Sequence, residues 1–342
     1  MTTRRDFLRN LTAIGAVAGS PKLLFSNPKS LTVASMQSGA KNKMWACLMH
    51  LSVNMWRAYY YDLQWNESLW NEALESMTAA GMDTVVIDLG DAVQYRSHPE
   101  IAVKGAWSTE KLQEELVKIR KMGLRPIPKL NFSTYHDSWL GPYSKMVSSD
   151  AYYQVCKDLI AEICYHFEKP DFFHLGMDEE YEPNHLTFDS ISIRQNKQYW
   201  GDFYFLIGEV FKNGSRPWVW QDYIRKYPDE FAKMMPKSVL QSNWYNRNNF
   251  NPENNPSIKA YQTLNELGYE QVPGGSNYYE GTDENFMNNV KFCTKNISDE
   301  KLLGFIQSSW RFTTEENRTH ILNAIELAGK AKKWYNEYTS SH

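Results

Sequence analysis

One rhythm constrains this chain more than any other feature: eight short apolar runs recur between stretches of helical period. The runs fall at residues 45–51, 84–89, 125–130, 172–175, 218–220, 239–241, 269–272 and 302–306. Runs this short and this apolar suit strands buried on both faces, as in a parallel sheet covered by helices. The segments between them carry helix signals. Ser108 precedes a stretch with Leu112, Leu116, Ile119 and Met122 on one face, and Gly123 follows it; this is the pattern of a capped helix with a left-handed stop. Val155, Leu159 and Ile163 repeat at helical spacing, as do Phe203, Ile207, Val210 and Phe211, and a last helix runs from about Glu315 to Tyr335. The eight βα units predict an α/β fold, a single (β/α)8 TIM barrel over residues 43–338. A doubly wound open sheet is the alternative, but no Gly-rich phosphate turn opens any of these helices.

Composition narrows the partners. The 342 residues hold 37 Lys+Arg against 40 Asp+Glu, a formal net charge of −3. No basic surplus exists to cover a phosphate backbone, so no nucleic-acid partner is expected. Four cysteines in this length exclude a disulfide scaffold. Cys156 and Cys164 would lie about 12 Å apart along one predicted helix, too far to bridge, and all four are read as buried thiols. At the N-terminus, Arg4-Arg5 precede Phe7-Leu8 and a Gly/Ala-rich apolar run from Leu11 to Gly19. This order resembles a twin-arginine (Tat) export signal. Residues 1–35 are therefore read as a signal and linker engaging the Tat machinery, and the mature protein as periplasmic or otherwise exported. The apolar run is too short to span a bilayer, and no later stretch approaches a transmembrane helix in length, so an integral membrane protein is not expected.

The chemistry is expected where strands end, because sites on this fold are built at the C-terminal face of the barrel. Strand one offers His50, Asn54 and Trp56; strand two, Asp88 and Asp91; strand three, Asn131 and His136. Strand four ends in His174-Leu175-Gly176-Met177-Asp178-Glu179-Glu180. The later strands offer Trp220 and Asp222, then Asn243 and Trp244, then Asn277, Tyr278 and Tyr279, and finally Trp310 and Arg311. The chain carries 12 Trp and 21 Tyr, and their presence at strand ends is hard to explain by core filling, since barrel interiors prefer branched aliphatics. Aromatic faces beside amides and carboxylates suit a polyhydroxylated ring, whose C–H face stacks and whose hydroxyls need partners. In an extended strand Asp178 and Glu179 would point to opposite sides, so both reach one pocket only if the chain turns there.

The strand-four segment, His174-Leu175-Gly176-Met177-Asp178-Glu179, is similar to the His-(Ile/Leu)-Gly-Gly-Asp-Glu motif of glycoside hydrolase family 20, the β-N-acetylhexosaminidases. The resemblance implies Glu179 as general acid/base. It implies Asp178 as the residue orienting the substrate's acetamido group, whose oxygen attacks the anomeric carbon. More loosely it extends to Trp220-Gln221-Asp222, to Gln241-Ser242-Asn243-Trp244, to Tyr278 and to Trp310, positions that form pocket walls and acetamido contacts in the family. The substrate-binding candidates are His136, His174, Trp220, Asp222, Asn243, Trp244, Tyr278, Trp310 and Arg311, with a carbohydrate as partner and neither cofactor nor metal expected. Three positions depart from the family pattern. Met177 replaces a glycine, the strand-one arginine is missing from His50-Leu51-Ser52-Val53-Asn54 with Arg57 further out, and Trp310-Arg311-Phe312 stands for Trp-x-Glu. Two alternatives compete with a hydrolase. One is a sugar isomerase or epimerase holding a divalent metal on His136, Asp88, Asp178 or Glu179, and Asp222. The other is a glycan-binding barrel without chemistry.

Overall fold

The computed structural model describes residues 43–55, 58–180 and 191–341. The twin-arginine segment lies outside the described residues, as do Trp56 and Arg57. Parallel strands β1 (Met44–His50), β2 (Thr84–Asp88), β3 (Arg125–Lys129), β4 (Phe172–His174), β5 (Arg216–Trp220), β6 (Leu240–Ser242), β7 (Gly274–Ser276) and β8 (Gly304–Ser308) form one sheet in the order β6-β5-β4-β3-β2-β1-β8-β7. The two ends of that order are joined by parallel bridges Gln241–Gln271 and Trp244–Gly274, which bring the sheet round into a barrel. Helices α1 (Glu67–Ala79), α2 (Thr109–Lys121), α3 (Asp150–His166), α4 (Lys197–Lys212), α5 (Tyr223–Lys226), α6 (Pro228–Met234), α7 (Pro256–Glu266), α8 (Asn285–Asn296) and α9 (Arg318–Ser340) run between and after the strands. The single (β/α)8 barrel expected from the alternation is the fold observed.

The local signals behave as their chemistry requires. Ser108 Oγ accepts the Lys111 N–H at 3.1 Å, and Gly123 ends α2 with φ 82°. Ser149 caps α3 through the Tyr152 N–H at 3.2 Å. Strand parity then sorts the side chains. In β1, Trp45, Cys47 and Met49 face the helices, while Met44, Ala46 and Leu48 join Val86, Ile127, Trp218, Leu240 and Ile306 inside the barrel. Two residues further along the same parity the inner positions become polar: His50, Asp88, Lys129, His174, Ser242 and Ser308, all buried. The site begins at this layer.

Strand seven departs from expectation. The apolar run 269–272 precedes the ladder: Gln271 makes isolated bridges to Gln241 and Leu302, and the strand proper is Gly274–Ser276. Pro273, lacking an N–H, separates the two. A Cβ on Gly274 would lie 3.1 Å from the Trp220 ring and 3.2 Å from Trp244, and one on Gly275 would lie 2.8 Å from Asn285. The strand is glycine because its neighbours fill the space, so locally it reads as a turn. β8 likewise lies two residues beyond its expected start, and β6 one. All four cysteines are free and buried. Among the described residues no helix is long and apolar enough to cross a membrane.

Candidate active site at the mouth of the barrel

After β4 the chain turns sharply. Gly176 (φ 71°), Met177 (φ 71°) and Glu179 (φ 62°) all adopt left-handed backbone. Gly176 has no alternative, since a Cβ there would sit 1.9 Å from Asn131 Oδ1. Met177 and Glu179 carry a cost of about 1–2 kcal/mol each for this conformation, which neighbouring strands offset. Asn131 Oδ1 accepts the N–H groups of Met177 (3.2 Å) and Ser133 (3.1 Å), and its Nδ2 donates to Asp178 Oδ1 at 2.9 Å. From β5, Asp222 Oδ2 accepts the Glu179 N–H at 2.9 Å. His174 Nδ1 accepts the Gly176 N–H at 3.0 Å.

The turn supplies what extended backbone could not. Asp178 and Glu179 point the same way, each reaching His136 Nε2, at 3.4 Å and 3.1 Å. Glu180 goes elsewhere. It is clamped by Arg194 at 2.6 Å and accepts the Thr134 N–H at 2.8 Å, and Arg194 also pairs with Asp202 at 3.2 Å. The charge of Glu180 is thus compensated by an arginine rather than directed at Glu179.

Charge is distributed unevenly. His136 Nδ1 lies 2.7 Å from the Met55 carbonyl oxygen, which can only accept, so Nδ1 carries a proton. Burial opposes a charged ring, but the carboxylates of Asp178 and Glu179 outweigh it and hold the imidazole well above its ordinary pKa. Burial would likewise raise Asp178; the His136 charge and hydrogen bond, Lys129 and Asn131 outweigh it and hold this carboxyl below the usual range. Asp222 has no such help: burial, with Asp178 and Glu179 nearby, pushes it up to about 7 against the pull of Arg225. Lys129, fully buried, pairs with Asp88, whose Oδ2 also lies 3.3 Å from His50 Nδ1.

A cavity of about 600 Å³ opens over this layer. One wall carries Met55, Asn131, Tyr135, His136, Asp178 and Glu179; the other carries Trp244, Asn246, Tyr278, Tyr279, Trp310, Arg311 and Phe312, and Lys129 also reaches it. Of the candidates, His136, Asp178, Glu179, Trp244, Tyr278, Trp310 and Arg311 therefore meet in one cavity. The others stand behind it. His174 is buried between Trp218 (5.0 Å) and Trp220 (4.7 Å), and Trp220 in turn supports Trp310 at 5.4 Å. Asn243 accepts from the Arg225 guanidinium at 2.8 Å and donates to Ser257 O at 2.7 Å. Asp222 holds the Glu179 backbone rather than facing the cavity. Among the residues not singled out by sequence, Lys129 and Asn246 matter most. Lys129 had a signal, a charge inside an apolar run; Asn246, whose Oδ1 accepts from Ser276 Oγ at 2.9 Å and Trp310 Nε1 at 3.4 Å, had none.

His136, Asp178 and Glu179 each offer a ligand atom within 4.8 Å of the others, a spacing that could hold a divalent cation. The wider metal set does not assemble: Asp88 is bound to Lys129 and His50, and Asp222 to the Glu179 backbone.

No protein-family model matches the sequence, and no curated protein matches it. Solved structures do. An exo-β-N-acetylglucosaminidase of glycoside hydrolase family 20 from Vibrio harveyi, solved with N-acetylglucosamine, superposes with a TM-score of 0.61 at 12% identity, covering 84% of this chain and 54% of that one. The chitobiase of Flavobacterium johnsoniae gives 0.58 at 16% identity over 84% of this chain and 48% of its own. The β-N-acetylhexosaminidase of Bacteroides fragilis gives 0.58 at 15% identity over 83% and 65%. The chain thus spans between about half and two-thirds of the length of these proteins. At such identities the likeness is one of fold, a single parallel eight-stranded barrel ringed by helices.

Proposed function

We propose that this barrel is a glycoside hydrolase acting on an N-acetylhexosamine, with Glu179 as acid/base and Asp178 as the residue that orients the substrate's acetamido group. The observation that carries the reading is the pair of adjacent carboxylates at the end of β4, turned to one side by left-handed backbone and joined through His136 Nε2. The fold shared with β-N-acetylhexosaminidases supports it, as does a cavity with aromatic faces opposite its carboxylates.

The chemistry follows from the arrangement. Asp178, kept ionised by His136, accepts the acetamido N–H and aligns the carbonyl oxygen with the anomeric carbon. That oxygen forms a bond to the carbon as the glycosidic C–O bond breaks, and Glu179 gives its proton to the departing oxygen. Water then attacks the anomeric carbon, Glu179 takes the water's proton, and the bond to the acetamido oxygen reopens with retention. No second protein nucleophile is needed, unlike the usual carboxylate pair. The Nε2 proton of the doubly protonated His136 ring lies within hydrogen-bond reach of Glu179; passed to Glu179 before the departing oxygen takes it, and returned once Glu179 has taken the water's proton, it balances the cycle. Export through the twin-arginine route is part of the same proposal and rests on the N-terminal motif.

A screen of aryl glycosides on the purified protein tests the reading. Release of chromophore from an N-acetylhexosaminide, unaffected by chelator and lost in Glu179→Gln, is the expected result. The cluster of His136, Asp178 and Glu179 favours one second reading, a metal-dependent sugar isomerase; turnover that depends on added divalent metal would select it.

A further inference from the structure

The arginines among the described residues divide sharply by their partners. Arg96, Arg120, Arg125, Arg194, Arg216 and Arg318 each pair with a carboxylate. Arg225 is spent on the Asn243 amide oxygen and the Trp244 carbonyl. Arg247 and Arg311 have no carboxylate within salt-bridge distance among the described residues; Arg311 lines the cavity, and Arg247 stands against Tyr279, which also lines it. The Arg247 guanidinium lies 4.1 Å from the centre of the Tyr279 ring, and that of Arg311 lies 4.9 Å from Tyr278. The two tyrosine rings meet edge to face at 4.9 Å, so the four side chains form one continuous row. Arg311 is further fixed by donating from Nη2 to the Tyr278 carbonyl at 3.2 Å. Glu316, the acid at the same rim, is tied to Thr314.

Stacking uses the face of a guanidinium and leaves its edge for hydrogen bonds, of which Arg311 spends one donor on the Tyr278 carbonyl. A planar fork of this kind matches the paired oxygens of a carboxylate or sulfate, and the ring beneath it limits the entropy lost on binding. Two such forks beside aromatic faces combine recognition of a sugar ring with recognition of a charge attached to it. We propose that the row Arg247–Tyr279–Tyr278–Arg311 binds an anionic substituent, a sulfate or a carboxylate, on the glycan that enters the cavity. The inference rests on the carbohydrate reading of the site but not on cleavage.

Calorimetric titration of the full-length protein with thio-linked disaccharides, which bind without being cleaved, tests it. Three ligands suffice: a neutral N-acetylglucosamine disaccharide, its sulfated form, and a form ending in a uronic acid. An anionic form is expected to bind about tenfold or more tighter than the neutral one, with the margin shrinking as salt rises from about 0.05 to 0.5 M. Arg247→Gln/Arg311→Gln is expected to erase the margin, and Arg311→Lys to keep only part of it, since an ammonium retains the charge without the fork. Preference for sulfate alone or for carboxylate alone supports the proposal and assigns the group. Equal binding of all three, or a preference that survives the double variant, overturns it. Anionic preference in a protein that cleaves no glycoside would leave the row standing and sink the hydrolase reading; cleavage of neutral substrates without any preference would do the reverse.

Discussion

The two walls of the cavity are built on different principles. On the β3–β4 side, Asn131, His136 and Asp178 are buried and Glu179 is partly exposed, and all are held by hydrogen bonds from beyond the ends of neighbouring strands: Asn131 and Asp222 grip the backbone of the turn, and His136 spans both carboxylates. On the β6–β8 side the groups are flat, partly exposed and held by stacking, with Tyr278 at 36% and Tyr279 at 40% exposure. Hydrogen bonds fix an atom to within tenths of an ångström, which proton transfer and acetamido alignment demand. Stacked faces fix a plane but allow sliding along it, which suits gripping sugars of varied decoration. The contrast separates a wall for chemistry from a wall for recognition.

The largest effect that would test this division is on turnover. Glu179→Gln keeps the shape of the side chain and is expected to lower kcat by about a thousandfold or more with little change in KM; a surviving turnover, measured with an aryl glycoside, would remove Glu179 from the chemistry. Next comes the charged layer beneath the wall. Lys129→Met leaves Asp88 buried without its cation, and is expected to cost about 3–5 kcal/mol in denaturant unfolding. Retained stability would mean that Asp88 had simply taken up a proton. On the recognition side, Tyr278→Ala is expected to raise KM about three- to tenfold while kcat changes little; an equal fall in kcat would break the separation of the walls. The smallest effect concerns Asp222, pushed up to about 7 by burial and by its acidic neighbours. Between the ordinary carboxyl pKa and about 7 the folded protein keeps this proton while the unfolded chain has lost it. Stability from this group therefore falls as pH rises through that window. Asp222→Asn is expected to flatten that slope in unfolding measured from pH 4 to 8 and to shift the neutral limb of the pH–rate profile.

Much of the barrel is legible along the chain. Ser108 and Gly123 mark the ends of α2, and the apolar runs mark most strands, because caps, turns and strand alternation depend on residues only a few positions apart. β7 escapes this logic. Its Gly274-Gly275 pair answers to Trp220, Trp244 and Asn285, side chains distant in sequence. The aromatic surplus shows the same limit: position at a strand end was readable for Trp220 and Trp310 alike, yet one lies beneath the other and only the upper meets the cavity.

The sequence by itself determined the period of the elements, the barrel they imply, and the placing of Asp178 and Glu179 at a strand end. Only the tertiary structure decided that both face one pocket while Glu180 does not. That outcome depends on three left-handed residues, which L-amino acids adopt reluctantly. They are held there by Asn131, 46 positions from Met177 along the chain, and by Asp222, 43 from Glu179. Neither partner is near until the barrel closes, so no local pattern could have announced the turn.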